Sequence, residues 1–258
     1  MEELFNYFPS FLLVFVRITS FFVMMPIFSY RNVPNTMKVG LGFFIAWIMV
    51  FTLDLPLLEI DNMYIFLILK EALVGLFIGF LAYLLLSAIQ TAGGFIDFQM
   101  GFALANVIDP QTGAQSPLTG QYLYIISLLF LLSVNGHHLL LDGIFYSYQY
   151  VPLDQPWIAF GDASMAEYMV KAFSRMFVIA FQMAIPVVSC LFLVDVALGI
   201  LARTFPQLNV FVVGLPLKIG VSYIILFIVM GVMMLVVSKL FEEMLYFLRG
   251  MMNLMGGA

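Results

Sequence analysis

The sequence predicts an all-α integral membrane protein, with about six long apolar helices arranged in hairpins and no sheet. Three observations carry that prediction. Of the 258 residues, 64% are apolar and 10% are charged, against about 25% charged in an ordinary soluble domain. The mean hydropathy is +1.08. The apolar residues gather into six runs, each of a length that crosses a bilayer core, for which a helix needs about 20 residues.

The runs read as Leu4–Phe28, Val39–Leu58, Ile65–Ile89, Tyr122–Leu141, Met176–Ala202 and Val210–Ser238. Glu2 and Glu3 stand where a cleavable signal would carry positive charge, and the run after them is too long for one. The N-terminal run is therefore expected to stay as the first helix. It holds Arg17 midway along, and a charge at that depth must face protein or water. A buried ion pair with an acid on another helix and a role in a pore are both open. Pro26, Arg31, Pro34 and Lys38 make a rigid, charged connection to run two.

Run two ends at Asp54–Pro56, and Glu59 and Asp61 form an acidic turn before run three. Run three opens on Lys70 and Glu71 and contains Gly75 and Gly79, a spacing that lets two helices approach closely. It leads into the segment around which the chain is organised, Gly93–Pro110. Gln90, Gly94, Asp97 and Gly101 follow spacings of 4, 3 and 4 and so form one small, polar stripe on a helix. Asp109 and Pro110 are expected to stop that helix. The loop that follows, with Gly113, Pro117 and Gly120, has the glycines and prolines of irregular backbone. Lipid cannot satisfy such backbone, so the loop must touch water or be buried in protein.

Run four carries Asn135, Gly136, His137 and His138. Adjacent histidines diverge on a helix and cannot chelate one metal from the same face, so they are expected to be hydrogen-bonded at a helix end. Asp142–Arg175 reads as the longest polar connection, with Tyr146, Tyr148, Tyr150 and Trp157 suited to a membrane interface. Its last part, from Ala163, is expected to be a short amphipathic helix. Runs five and six form a hairpin around Asp195, Gly199, Arg203, Pro206, Gln207 and Asn209. Pro186 should kink run five, and Gly214, Pro216 and Lys218 should break the start of run six. Asp195 and Arg203 share a face without touching, so each needs another partner. The tail is expected to be amphipathic from Lys239 to Arg249 and flexible after Met251.

These patterns exclude much. No Lys or Arg lies between Lys70 and Lys171, while seven acids do, which rules against nucleic acid. The single cysteine, Cys190, excludes an intrachain disulfide framework and any Cys-based metal site, and is expected in the core. Phosphate-binding glycine loops and the common hydrolase motifs are absent, so no catalytic residue, metal or cofactor is expected. Lysines and arginines flank the two sets of helix ends five against four. That tie sets no orientation, and it suits helices placed by partner subunits.

Gly94, Asp97, Gln99 and Gly101 through Asp109–Pro110, then Asn135–His137, then Leu198 and Gly199 with Arg203, Pro206–Asn209 and Pro216–Lys218, together resemble the FliR family of flagellar export-gate proteins, relatives of the SctT/SpaR family of injectisomes. The N-terminal Arg17, Pro26 and Pro34 fit as well, and the resemblance covers essentially the whole chain. It implies a multi-pass protein of the bacterial cell membrane and flagellar basal body, acting in type III protein secretion. It further implies assembly with FliP-type and FliQ-type subunits, and contact with FlhB-type and FlhA-type proteins and with unfolded flagellar proteins in transit. Residues 1–175 would correspond to a FliP-like four-helix portion and residues 176–258 to a FliQ-like hairpin and tail. The family's central plug loop would fall on Phe102, Leu104, Ala105, Asn106, Val107, Ile108, Asp109, Pro110, Gly113 and Pro117. Gly94, Asp97, Gln99, Gly101, Asn135, Gly136 and His137 would then be anchors and packing positions. Two competing classes remain: a small-molecule or ion transporter using Arg17, Glu71, Asp97 and Asp195 as coupling charges, and a membrane scaffold with no conduit.

Overall fold

The computed structural model describes residues 7–29, 33–53, 56, 58, 60–102, 117–155, 163–205, 207 and 209–256. Among these the fold is all helix: α1 Phe8–Met24, α2 Asn35–Thr52, α3 Asn62–Met100, α4 Leu118–Ser133, α5 Gly136–Tyr150, α6 Ala163–Thr204 and α7 Val210–Gly256. Four of them, α2, α3, α6 and α7, are long and apolar enough to cross a membrane, or five spans if the broken pair α4 and α5 counts as one.

Local chemistry explains the boundaries. Pro9 sits in the first turn of α1, where no backbone donor is needed. Met25, held extended before Pro26, ends that helix. The Asp61 carboxylate accepts the Met63 and Tyr64 amides at 3.0 Å each and caps the start of α3. Asn209 receives the Val212 amide on its backbone oxygen at 3.1 Å and opens α7.

Five sequence expectations are corrected here. The helix through the central segment ends at Met100, not at Asp109–Pro110. Gly101 takes φ +91°, the Phe102 amide donates to the Asp97 carbonyl at 3.0 Å, and the Gly101 amide donates to the Phe98 carbonyl at 3.2 Å. That pair of bonds is a Schellman end, which glycine makes at no steric cost. Run four is two helices, because Asn135 adopts a left-handed φ of 56°. The polar connection is shorter than expected, since α5 extends to Tyr150 and the predicted amphipathic stretch from Ala163 is the first part of α6. Finally, Pro216 does not break run six. It lies inside a 47-residue helix, where one missing donor is outweighed by the rest of the ladder. The tail is also helical to Gly256, with Met251, Met252 and Met255 buried.

The chain forms two compact units. One takes residues 1–85, 134–173 and 242–258, and the other 86–133 and 174–241. In the first, α1 packs on α2, and Leu13, Val14, Ile18, Phe21, Val74, Ile78, Leu81, Leu140 and Ile144 are core residues. The Gly75 and Gly79 spacing acts as read: a Cβ at Gly75 would strike the Arg17 carbonyl, and one at Gly79 would lie 2.8 Å from the Phe21 carbonyl. In the second, Ile89, Ala92, Ile96 and Met100 of α3 are buried at helical spacing, as are Leu123, Ser127 and Leu131 of α4 and Met176, Ala180, Met183, Val187 and Leu191 of α6. Cys190 is half-buried.

Candidate functional site

Three polar arrangements stand out in these apolar surroundings. The first, in the unit containing α1, settles the question of Arg17. Its guanidinium is wholly buried and pairs with Glu71 of α3, Nε to Oε2 at 2.5 Å and Nη2 to Oε1 at 3.0 Å. Lys70 Nζ reaches the same carboxylate at 2.7 Å. Two cations on one acid leave positive charge over, and backbone takes it up. Arg17 also donates to the Val151 carbonyl at 2.8 Å and to Ser147 Oγ at 3.0 Å, and Lys70 donates to the Pro152 carbonyl at 2.7 Å. The cations thus satisfy carbonyls just beyond the C-terminus of α5, where the helix dipole is negative. The Tyr148 ring lies 4.1 Å from the guanidinium carbon. The buried ion pair is therefore what the structure holds; Ser147, Tyr148 and the carbonyls gave no signal in sequence, being more than 100 residues from Arg17.

The second arrangement joins the two stems that flank residues 103–116. Asp97 of α3 accepts the Thr119 amide of α4 at 3.1 Å. Pro117, which precedes α4, has no side chain able to cap, so a carboxylate from another helix caps it instead. Four residues back along α3, Gly93 meets Gly120 so closely that a Cβ at Gly93 would collide with the Gly120 backbone. Gly94, placed in the stripe by sequence, is less tight: its Cβ would stand 3.8 Å from Pro117 Cγ.

The third arrangement gathers residues the sequence left unpaired. Lys218 Nζ of α7 lies 2.8 Å from Asp195 Oδ1 of α6, and Gln99 Nε2 of α3 donates to Asp195 Oδ2 at 2.9 Å. The two charges are half-exposed, with side-chain exposures of 40% for Asp195 and 18% for Lys218. One turn from Lys218, Leu215 packs on Gly101, where a Cβ would come within 2.9 Å of its Cδ2.

Of the other site residues read from sequence, Phe102 is half-buried, Pro117 accepts the Gln121 amide at 2.8 Å, and Arg203 and Gln207 are exposed. Gly199 has open space where a Cβ would stand. Leu104, Ala105, Asn106, Val107, Ile108, Asp109, Pro110, Gly113 and Pro206 lie outside the described residues. Asn135, Gly136 and His137 form the start of α5, but the hydrogen bond expected of His137 is missing at Nδ1, which is buried without a partner in the structure. The His137 and His138 rings lie side by side at 4.1 Å between centroids. Among the described residues no group of three or more His, Cys, Asp or Glu is placed to hold a metal.

Residues 8–244 match the family of bacterial export proteins, family 1. The chain is 57% identical to the flagellar biosynthetic protein FliR of Bacillus subtilis, covering 99% of each sequence. It is 29% identical to FliR of Escherichia coli over 88% of this chain and 87% of that one. It is also 28% identical to the Yop proteins translocation protein T of Yersinia pestis, over 89% of each. The match includes every polar arrangement described above, from Arg17 to Lys218, and on that basis the chain belongs to the bacterial export proteins, family 1, as a member of the FliR family.

Proposed function

We propose that this chain is a non-enzymatic component of the flagellar type III export gate, forming part of the conduit that carries unfolded flagellar subunits across the cell membrane. The single observation that carries the reading is the match to the export family over residues 8–244. Residues 105–117 act as the plug of the closed pore, with Phe102, Leu104, Val107 and Ile108 as its apolar contacts. The stems support this: Asp97 on Thr119 and Gly93 on Gly120 hold both ends of the segment side by side. An apolar constriction with a conformable backbone excludes ions at rest and yields to an extended polypeptide. Asp97 and Gln99 serve as anchors for that segment.

The partners are FliP-type and FliQ-type subunits, which residues 1–175 and 176–258 respectively resemble, with FlhB-type and FlhA-type proteins nearby in the basal body. The transporter alternative has less support, because Arg17, Glu71, Asp97 and Asp195 each have a partner inside the chain. The test is removal of residues 105–113 in the assembled complex. Increased ion leakage in the non-secreting state is expected; leakage at the wild-type level would end the plug assignment. The chain is also expected to co-purify with its FliP-type and FliQ-type subunits, and recovery as a stable lone monomer would overturn the assembly.

A further inference from the structure

The Gln99–Asp195–Lys218 arrangement is unlike the Arg17 centre in every respect that bears on movement. Arg17 and Glu71 are fully buried, and Lys70 nearly so. Parting them would strand charge in apolar surroundings. Asp195 and Lys218 are half-exposed and neutralise each other, and Gln99 is half-buried and uncharged. That set parts without leaving a buried charge uncompensated. It also joins helices from distant parts of the chain, since Gln99 is 96 residues from Asp195. Gln99 lies in the last turn of α3, directly before the Schellman end at Gly101. Leu215 on Gly101 gives the same two helices, α3 and α7, a second, apolar contact beside the polar one. Asp195 itself stands among Phe192, Leu193, Val196 and Ile200, all exposed and apolar, where a carboxylate has no reason to be unless its contact is used.

We propose that Asp195 is a positioning residue: it holds the C-terminal end of α3 to the α6–α7 hairpin as a releasable joint, made at rest and parted during transport. This rests on the export reading above. Geometry, not mere presence, is what the joint requires. A carboxylate must face an ammonium across α6 and α7, with the Gln99 amide, which both donates and accepts, completing the set from α3.

The experiment uses the full chain in its assembled complex, with secretion of a flagellar protein into the medium as the readout and recovery of the complex as the control. Asp195→Lys places two cations together, and secretion is expected to fall about tenfold, equivalent to ~1.4 kcal/mol. Adding Lys218→Asp restores the ion pair with reversed sign, and Gln99 turns its amide oxygen toward the new cation. Secretion is then expected to return to within about twofold of wild type, a difference under ~0.5 kcal/mol. Wild-type secretion from Asp195→Lys, or no recovery in the exchanged pair while the complex assembles normally, overturns the proposal. Where Asp195→Lys fails to assemble, Asp195→Asn takes its place and must lower secretion.

Release is tested separately. In a Cys190→Ser background, Gln99→Cys and Asp195→Cys are bridged by a reversible bifunctional thiol reagent. Because Asp195→Cys itself lowers secretion, the bridged complex is compared with the same variant treated with a one-ended reagent: it is expected to secrete less than that, and to return to the variant's own level when reductant removes the bridge. Undiminished secretion with the bridge in place overturns the joint. Secretion that persists when the whole chain is absent overturns the export reading itself, so the two failures are told apart.

Discussion

At the scale of single residues, the decisive fact is that Glu71 serves two cations in a buried site. Removing one partner of such a pair leaves the others charged and unpaired, which costs about 3–5 kcal/mol, whereas replacing both by apolar groups is far milder. Glu71→Ala is therefore expected to lower recovery of folded chain sharply, because Arg17 and Lys70 are left facing each other. Arg17→Met combined with Glu71→Leu is expected to recover more folded chain than either Arg17→Ala or Glu71→Ala alone, since Lys70 keeps the Pro152 and Leu153 carbonyls. Thermal unfolding of the complex purified in detergent measures the three against wild type. Equal loss in the single and paired variants would show that stranded charge is not what the single substitutions cost. The sequence made the existence of such a pair legible, because an arginine midway along an apolar run demands one. It did not disclose the acid, because nothing local ties residue 17 to residue 71. Nor did it disclose Lys218 as the partner of Asp195, since that pairing depends on the turn between α6 and α7.

At the scale of elements, the apolar runs were legible because membrane helices must satisfy their own backbone, so hydropathy alone marks them. Their ends were not. Asp109–Pro110 is the stronger stop signal by composition, yet Gly101 ends α3, because a Schellman end needs only a residue tolerant of positive φ. Glycine roles divide in the same way. Gly93 and Gly94 are equivalent as letters, but Gly93 faces the Gly120 backbone and Gly94 faces only the tip of Pro117. A methyl group pressed on backbone has no side chain to push aside, and overpacking of that kind costs about 1–3 kcal/mol. Gly93→Ala is expected to lower the thermal midpoint of the purified complex. Gly94→Ala is expected to leave it unchanged or raise it, because alanine in a helix is favoured over glycine by about 1 kcal/mol. Equal destabilisation by both would mean that the α3–α4 contact is not what Gly93 provides.

At the scale of the whole molecule, the chain leaves much of its apolar surface uncovered. In the most apolar stretch of each helix, 56% of residues are buried in α3 but only 33% in α6 and 17% in α7. Phe227 of α7 is 86% exposed, beside a groove of about 300 Å³ lined by Leu118, Tyr122, Leu123, Tyr223 and Met230. Lipid and a protein partner both cover such a surface, but they respond differently to truncation. Lipid chains flow into the space left by a lost ring, whereas a packed interface loses an aromatic anchor, worth about 2 kcal/mol or roughly thirtyfold in affinity. Under the proposed assembly, Phe227→Ala is expected to leave the level of the chain in the membrane unchanged, because Phe227 contributes almost nothing to its core. Recovery of FliP-type and FliQ-type subunits with the tagged chain is expected to fall sharply in stringent detergent. Equal recovery from the variant and the wild type would place lipid, not a subunit, on that face of α7.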